Sequence, residues 1–146
     1  MILIAVTSAA LALVNVQQAP SETMAVDDVM ARENVKADYF VVDVDAAQFA
    51  RGLIEAEGLT SWNGEPQLED AGNRGFGVLS VRSGEGRSAT VWYSRGLNEH
   101  EGRVCRSTAN ANGMGPGSYR AVRWCLAKFG VEAPETPPPL IKLPSQ

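Results

Sequence analysis

The residues best suited to hold an anion lie where a glycine-rich segment runs into a predicted helix. Residues 113–118 read Gly-Met-Gly-Pro-Gly-Ser, and Arg120 and Arg123 follow within the first turns of that helix. Free N–H groups at a helix N-terminus attract anions, and glycines allow a phosphate or carboxylate to come close. The segment lacks the Gly-Lys-Ser/Thr of a P-loop and is not a dinucleotide fingerprint. The alternative interpretation is a flexible connector.

Trp124 adds an aromatic side chain to this segment. It lies away from the apolar stripe that Tyr119, Val122, Leu126 and Phe129 form on the predicted helix. An exposed Trp beside arginines is typical of interface centres, where Trp and Arg contribute much of the affinity. We therefore predict a binding surface for a partner with acidic groups, formed by Gly115, Gly117, Ser118, Arg120, Arg123 and Trp124. If Trp124 is fully buried, this face of the helix is structural.

Candidates for catalysis or metal binding are sparse. His100, the only histidine, lies between Glu99 and Glu101. Neighbouring carboxylates would suit a general base, whereas the alternative is a solvated loop residue. No nucleophile or second ligand accompanies it, so the sequence predicts neither a triad nor a zinc site. Asp43 and Asp45 have a spacing that can hold a divalent cation, but Asp45 also suits a helix N-cap and no further oxygen ligands are evident.

These residues favour binding over catalysis. The sequence predicts no metal and no cofactor, and it contains no Gly-x-Ser-x-Gly nucleophile elbow. We expect a protein that engages another macromolecule, as an inhibitor, an immunity-type factor or an envelope component. Two alternatives stay open. One is a small hydrolase that uses Asp43 or His100, and the other is an envelope structural protein anchored by an uncleaved N-terminus.

The first residues of the chain indicate export. Residues 1–21 carry no charged side chain and run apolar through Val16. This run is shorter than the roughly 20 residues of a membrane-spanning helix and resembles the apolar region of a secretory signal. No Lys or Arg precedes it and no clean cleavage site follows it, so an uncleaved anchor and a mis-assigned start codon are the alternatives. A periplasmic or secreted location, without a stable membrane span after processing, is the prediction.

Two cysteines agree with an oxidising compartment. Disulfides persist outside the cytosol, and an even pair in an exported domain usually forms one bridge. A bond between Cys105 and Cys125 would close a loop of about 20 residues, which stabilises a domain by about 3 kcal/mol in the chain-entropy estimate. We therefore predict a strand-to-helix disulfide.

The charge is divided along the chain. Residues 22–70 have a net charge of −9 and residues 71–146 a net charge of +5, with eight arginines among the later bases. Arginine makes bidentate contacts to carboxylates and phosphates, which allows a basic face. The alternative is that the two halves neutralise each other in the fold. Because the whole chain is acidic and the bases form no run, nucleic acid is not a predicted partner.

Periodicity places these groups on a small α+β domain. Strands are predicted at residues 39–44, 76–83, 88–95 and 103–107, and helices over 46–57 and 116–129. Together they predict a mainly antiparallel sheet of about four strands with two helices packed on it. The predicted organisation is a signal-like leader (1–19), an N-terminal segment or tether (20–38), a globular domain (39–130) and a proline-rich tail (131–146).

Residues 76–95 are the clearest predicted hairpin. A two-residue turn at Glu85 and Gly86 would pair Leu79 with Trp92. Both faces of the hairpin carry apolar side chains, so we expect these strands to be central. Helices would cover one side, and a loop or partner the other.

Overall fold

The computed structural model describes residues 16–59, 67–70 (main chain only), 75–83, 85–95, 101–110 and 115–136. Its strands are β1 (Glu22–Thr23), β2 (Lys36–Val42), β3 (Gln67–Asp70), β4 (Phe76–Arg82), β5 (Ser88–Ser94) and β6 (Gly102–Ala109). Its helices are α1 (Asp28–Arg32), α2 (Ala46–Ala56) and α3 (Pro116–Ala127). All strand pairs are antiparallel, in the order β1-β2-β6-β5-β4-β3.

The predicted α+β class and antiparallel sheet are confirmed. The four predicted strands correspond to β2, β4, β5 and β6, and the two predicted helices correspond to α2 and α3. The structure adds the short edge strands β1 and β3 and the five-residue helix α1. The two edge strands are too short to show a hydrophobic period, which explains why they were not predicted. The apolar spacing of residues 21–34 is compatible with a short amphipathic helix as well as with a tether, and α1 forms within it.

Helices cover both faces of the sheet. On one face α2 packs Phe49, Leu53 and its neighbours onto apolar side chains of β2, β4, β5 and β6. Phe49 lies against Phe40 of β2, with ring centroids 5.2 Å apart. On the other face α1 and α3 enclose a second core, which contains Met30, Trp92 and both cysteines. The expectation of helices on a single side was therefore wrong.

The central hairpin differs from its predicted register by one residue. Val91 lies opposite Leu79, and Trp92 lies opposite Val78. The loop contains three residues rather than two, because Ser83 N donates to Arg87 O at 2.8 Å. Gly86 takes the left-handed conformation (φ 91°) that such loops use. This register places Trp92 on the α3 face and Val91 on the α2 face.

The predicted bond between Cys105 and Cys125 is confirmed. It joins β6 to α3 with the Cα atoms 5.5 Å apart, and both residues are fully buried. The small residues Ser118 and Ala121 turn inward with Cys125, whereas Val122 and Leu126 of the predicted stripe are only partly buried. Small side chains at this contact allow α3 to lie close to the sheet.

Residues 20–38, predicted as a segment or tether, are part of the packed domain. Residue 39 lies inside β2, and Met24 N donates to Ala37 O at 3.0 Å. Met30 and Val35 are almost completely buried in the α3-side core. Among the helices of the described ranges, none has the length and apolar character needed to cross a membrane.

Candidate functional site

The predicted anion-binding helix terminus holds a carboxylate of the chain itself. Gly115 is the N-cap of α3 and has no side chain to accept the first N–H groups, and Pro116 begins the helix. Gly117 N donates to Glu33 Oε2 at 3.1 Å, and Ser118 N donates to Glu33 Oε1 at 2.9 Å. The Ser118 hydroxyl lies 3.2 Å from the same Oε1 and donates to it. Glu33 therefore serves as the N-terminal cap that Gly115 cannot provide.

The end of α1 positions this carboxylate. Glu33 is the C-cap of α1, and Asn34 then reverses the chain in the left-handed conformation at φ 54°. Asn110 N, at the end of β6, donates to Glu33 O at 3.0 Å. These bonds fix the backbone of Glu33 beside α3.

The absence of side chains at Gly115 and Gly117 accommodates this close approach. A Cβ atom on Gly115 would lie 2.7 Å from Glu33 Oε1. One on Gly117 would lie 2.9 Å from Met30 Cα, inside the normal contact distance. Glycine thus admits a carboxylate to the helix terminus, as the sequence indicates, but that carboxylate comes from residue 33.

The hydrogen bonds at the start of α3 affect the pKa of Glu33. Burial raises the pKa of the carboxyl group, but the hydrogen bonds from Gly117 and Ser118 and the nearby positive charge of Arg32 outweigh burial. The net pKa is lowered from the ordinary value of 4.5. The carboxylate is therefore ionised at neutral pH, the form that complements the positive end of a helix.

The other three predicted binding residues line a groove on the outer side of α3. Arg120, Arg123 and Trp124 form one wall, and the chain after α3 forms the other; the remaining lining residues are Met24, Ala127, Val131, Glu132 and Ala133. The groove has a volume of about 410 Å³ and is lined mostly by apolar surface. Trp124 is partly exposed, so the condition that would make this face purely structural is not met.

Polar contacts hold the two walls of the groove together. Arg123 Nε donates to Ala133 O at 3.3 Å, and the Tyr119 hydroxyl donates to Pro134 O at 2.9 Å. Arg120 forms an exposed ion pair with Asp27, the N-cap of α1. Lys128 lies over the Trp124 ring, with its Nζ 4.4 Å from the centroid. The beginning of the proline-rich tail is thus fixed along α3.

The residues of the hydrolase hypothesis are not brought together in the described ranges. Asp43 is exposed just beyond the end of β2, and His100 lies outside those ranges. Asp45 caps α2 by accepting from Gln48 N at 3.1 Å, as its position after a strand predicts. No group of three or more potential metal ligands occurs among the described residues.

Two site residues, Glu33 and Asp27, are not among the candidates predicted from the sequence. Both lie in residues 20–38, predicted as an N-terminal segment or tether, and Glu33 is 84 residues away from Gly117. The sequence does contain a chemical signal for an acceptor of this kind. A glycine-capped helix needs an acceptor, and residues 22–38 are rich in acids. Spacing alone does not select one acid among them.

No protein-family model, curated protein or solved structure matches this chain.

Proposed function

We propose that this chain is an exported, non-catalytic binding protein, periplasmic or secreted, that engages another macromolecule through the groove beside α3. The observation that carries the proposal is the combination of an apolar groove, a partly exposed Trp124 and two arginines on one helix face. The buried disulfide supports export, because such bonds persist in oxidising compartments.

The groove suits an extended peptide segment that carries a large apolar side chain next to a carboxylate. Trp124, Val131 and Met24 provide the apolar contact area. A guanidinium group has five N–H donors, and among the described residues Arg123 uses its Nε–H for Ala133 O. Its remaining donors suit a carboxylate of the partner.

The six predicted binding residues divide into two roles in this proposal. Gly115, Gly117 and Ser118 hold Glu33 and set the position of α3. Arg120, Arg123 and Trp124 contact the partner. Because an exposed ion pair contributes little to stability, the pairing of Arg120 with Asp27 does not commit Arg120 to a structural role.

A photo-crosslinking side chain at Ala127 tests the groove in cells of the source organism. Ala127 is exposed and lines the groove, and Gln48 on α2 is an exposed control position on the opposite side of the sheet. We expect one crosslinked macromolecule from position 127 and not from position 48. Its attached peptide, read by mass spectrometry, should contain an apolar residue beside Asp or Glu.

Loss of the two arginine charges should remove this crosslink. The Arg120→Gln, Arg123→Gln double variant is expected to lower crosslinking at least about tenfold, because each charge-assisted hydrogen bond contributes about 1.5–3 kcal/mol. Arg51→Gln, an exposed change on α2, is the matched control and should leave it unchanged. Equal yields from positions 127 and 48, or an unaffected double variant, would contradict the groove as the binding surface.

Export is tested by the mass of the natural protein. We expect it to lack roughly its first 19 or 20 residues, because Ser21 is where main-chain bonding to β2 begins. Ser21 N donates to Tyr39 O at 2.8 Å, and Ser21 Oγ accepts from Val41 N at 3.1 Å. Such a cut removes the packing of Val16 and the bond from Gln18 Nε2 to Val41 O but keeps β1. An intact mass that includes Met1, in a cytosolic fraction, would rule out export.

A further inference from the structure

A second, strongly polar cleft lies on the opposite face of the sheet from the α3 groove. It has a volume of about 290 Å³ and opens beyond the C-terminal end of α2. Its charged lining consists of Lys36, Asp38, Glu57, Arg87 and Arg106. The lining surface is mainly polar, in contrast with the groove beside Trp124.

Strand register explains why these charges meet. Asp38 of β2 lies directly opposite Arg106 of β6, and Lys36 lies opposite Thr108 one step further along the same face. The preceding pair on this face, Phe40 and Val104, is buried beneath α2. The face becomes charged where α2 ends at Ala56 and no longer covers it.

Ion pairs hold the charged side chains in place. Arg106 Nη2 lies 2.6 Å from Asp38 Oδ2, and Arg106 Nη1 lies 3.7 Å from Glu57 Oε2. The Arg106 guanidinium also lies over the Phe40 ring, 5.5 Å from its centroid. The Asp38 and Glu57 side chains are only 16% and 15% exposed, so water screens these pairs less than it screens pairs at an open surface.

Among the described residues that line the cleft, positive charges outnumber carboxylates by one. Lys36, Arg87 and Arg106 carry three positive charges against the two carboxylates. Arg87 is 53% exposed and lies 3.8 Å from Glu57, which already faces Arg106. Among the lining residues, Arg87 and the exposed Lys36 are therefore the cations best placed to receive an anion from solvent.

Neutral hydrogen-bonding groups complete the lining. Asn34, Ser88, Thr108 and Asn110 contribute amides and hydroxyls beside the charges. Such groups both donate and accept, which suits ligand hydroxyls better than aromatic or aliphatic surface. The left-handed conformation of Asn34, at φ 54°, fixes the turn that carries it to the cleft.

From this lining we infer that the cleft binds a small, hydroxylated monocarboxylate of the sugar-acid class. The ligand carboxylate contacts Arg87 and Lys36, and its hydroxyls contact the amides and the Asp38 and Glu57 carboxylates. Arg106 positions those two carboxylates. The site is separate from the α3 groove, so its test does not depend on the proposed partner.

Titration of the full chain with glucuronate, followed by NMR, tests this inference. We expect saturable shifts at the side-chain amides of Asn34 and Asn110, with a Kd on the order of 1 mM for a ligand of this size. Glucose, which has the hydroxyls but no charge, should bind at least about tenfold more weakly because it lacks the charge-assisted bonds. Equal affinity for glucose, or the absence of saturable shifts, would overturn the inference.

Arg87→Gln is the informative variant, because Arg87 lies at the exposed rim and its loss is not expected to unfold the protein. It should weaken glucuronate binding by about tenfold, whereas Arg51→Gln on the exposed side of α2 should not. Unchanged affinity in Arg87→Gln would overturn the inference, because the ligand carboxylate is placed on Arg87. Arg106→Lys is a second variant, which keeps a positive charge beside Asp38. An amide NMR spectrum like that of the parent would show that its cleft is still folded.

Discussion

Replacing Cys105 and Cys125 together by alanine is expected to lower the free energy of unfolding by about 2–5 kcal/mol. The bond ties β6 to α3 and closes a loop with a sequence separation of 20. Without it, the unfolded chain gains conformational freedom. Because both cysteines are fully buried beside Ala121, the change also leaves unfilled space at the contact between α3 and the sheet.

Urea unfolding of the oxidised parent, the reduced parent and the double alanine variant measures this effect. The oxidised parent should be the most stable of the three, and reduction should reproduce most of the loss without any change of side-chain volume. Thiol titration of the oxidised parent, unfolded in denaturant without a reducing agent, should detect no free thiol. Two reactive thiols, or equal unfolding midpoints for all three samples, would contradict a stabilising disulfide.

In the proposed function, the disulfide makes the groove sensitive to the redox state of the compartment. α3 carries the predicted partner-binding residues Arg120, Arg123 and Trp124, and Cys125 lies on the opposite side of the same helix. A reducing environment that opens the bond therefore loosens the element that forms the groove. We expect the crosslink from Ala127 to weaken after reduction, in parallel with the loss of stability.

Patterns among neighbouring residues are sufficient to predict the main strands and helices. The β-branched residues of β2, the cap at Asp45 and the apolar period of α2 each depend on neighbours within one or two turns. The disulfide was predictable because the chain contains only two cysteines. These features require no knowledge of which distant segments meet.

Features that depend on distant pairing were not predictable in this way. The polar cleft needs Asp38 beside Arg106, 68 residues later, and β2 begins at Lys36 rather than at the more apolar Tyr39. In the hairpin loop, the Ser83 hydroxyl accepts from Glu85 N at 3.1 Å and from Arg87 N at 3.3 Å, and these bonds stabilise the longer loop. Both features depend on polar contacts that the hydrophobic pattern of the sequence does not specify.

Replacing Glu33 by alanine is expected to lower the free energy of unfolding by about 1–3 kcal/mol at neutral pH. The change removes the acceptor for the N–H groups of Gly117 and Ser118, both of which are buried. Glu33→Gln is the matched comparison, because it keeps one acceptor oxygen but removes the charge and the second acceptor. It should lose less stability than Glu33→Ala. Urea unfolding of the three proteins gives the order directly.

The pH dependence of stability distinguishes the contribution of the Glu33 charge from that of the size and shape of its side chain. A carboxyl group whose pKa is lowered in the folded protein stabilises the fold fully above its ordinary pKa, here 4.5. That contribution disappears as the pH falls through the lowered pKa. The parent should therefore lose more stability than Glu33→Gln between neutral pH and the region below 4.5. Parallel stability curves for the two proteins would show that the ionised form is not preferred in the fold.

The Glu33→Ala variant also tests whether the terminus of α3 accepts an outside anion. Removing the carboxylate leaves the N–H groups of Gly117 and Ser118 and the Ser118 hydroxyl facing an empty position, which sulfate can fill. At sulfate concentrations tenfold above its Kd, binding would restore about 1.4 kcal/mol. Sulfate also stabilises proteins in general through exclusion from their surface, so the parent in the same buffer is the necessary reference.

A sulfate effect that is larger in Glu33→Ala than in the parent would show an anion site that Glu33 normally fills. A natural anionic partner at this terminus would then have to displace Glu33, and the groove residues Arg123 and Trp124 would remain the more accessible surface. Equal stabilisation of both proteins would instead show that Gly115, Gly117 and Ser118 recognise only the carboxylate that the fold places there. The comparison thus assigns the glycine-rich terminus either to binding or to the internal support of α3.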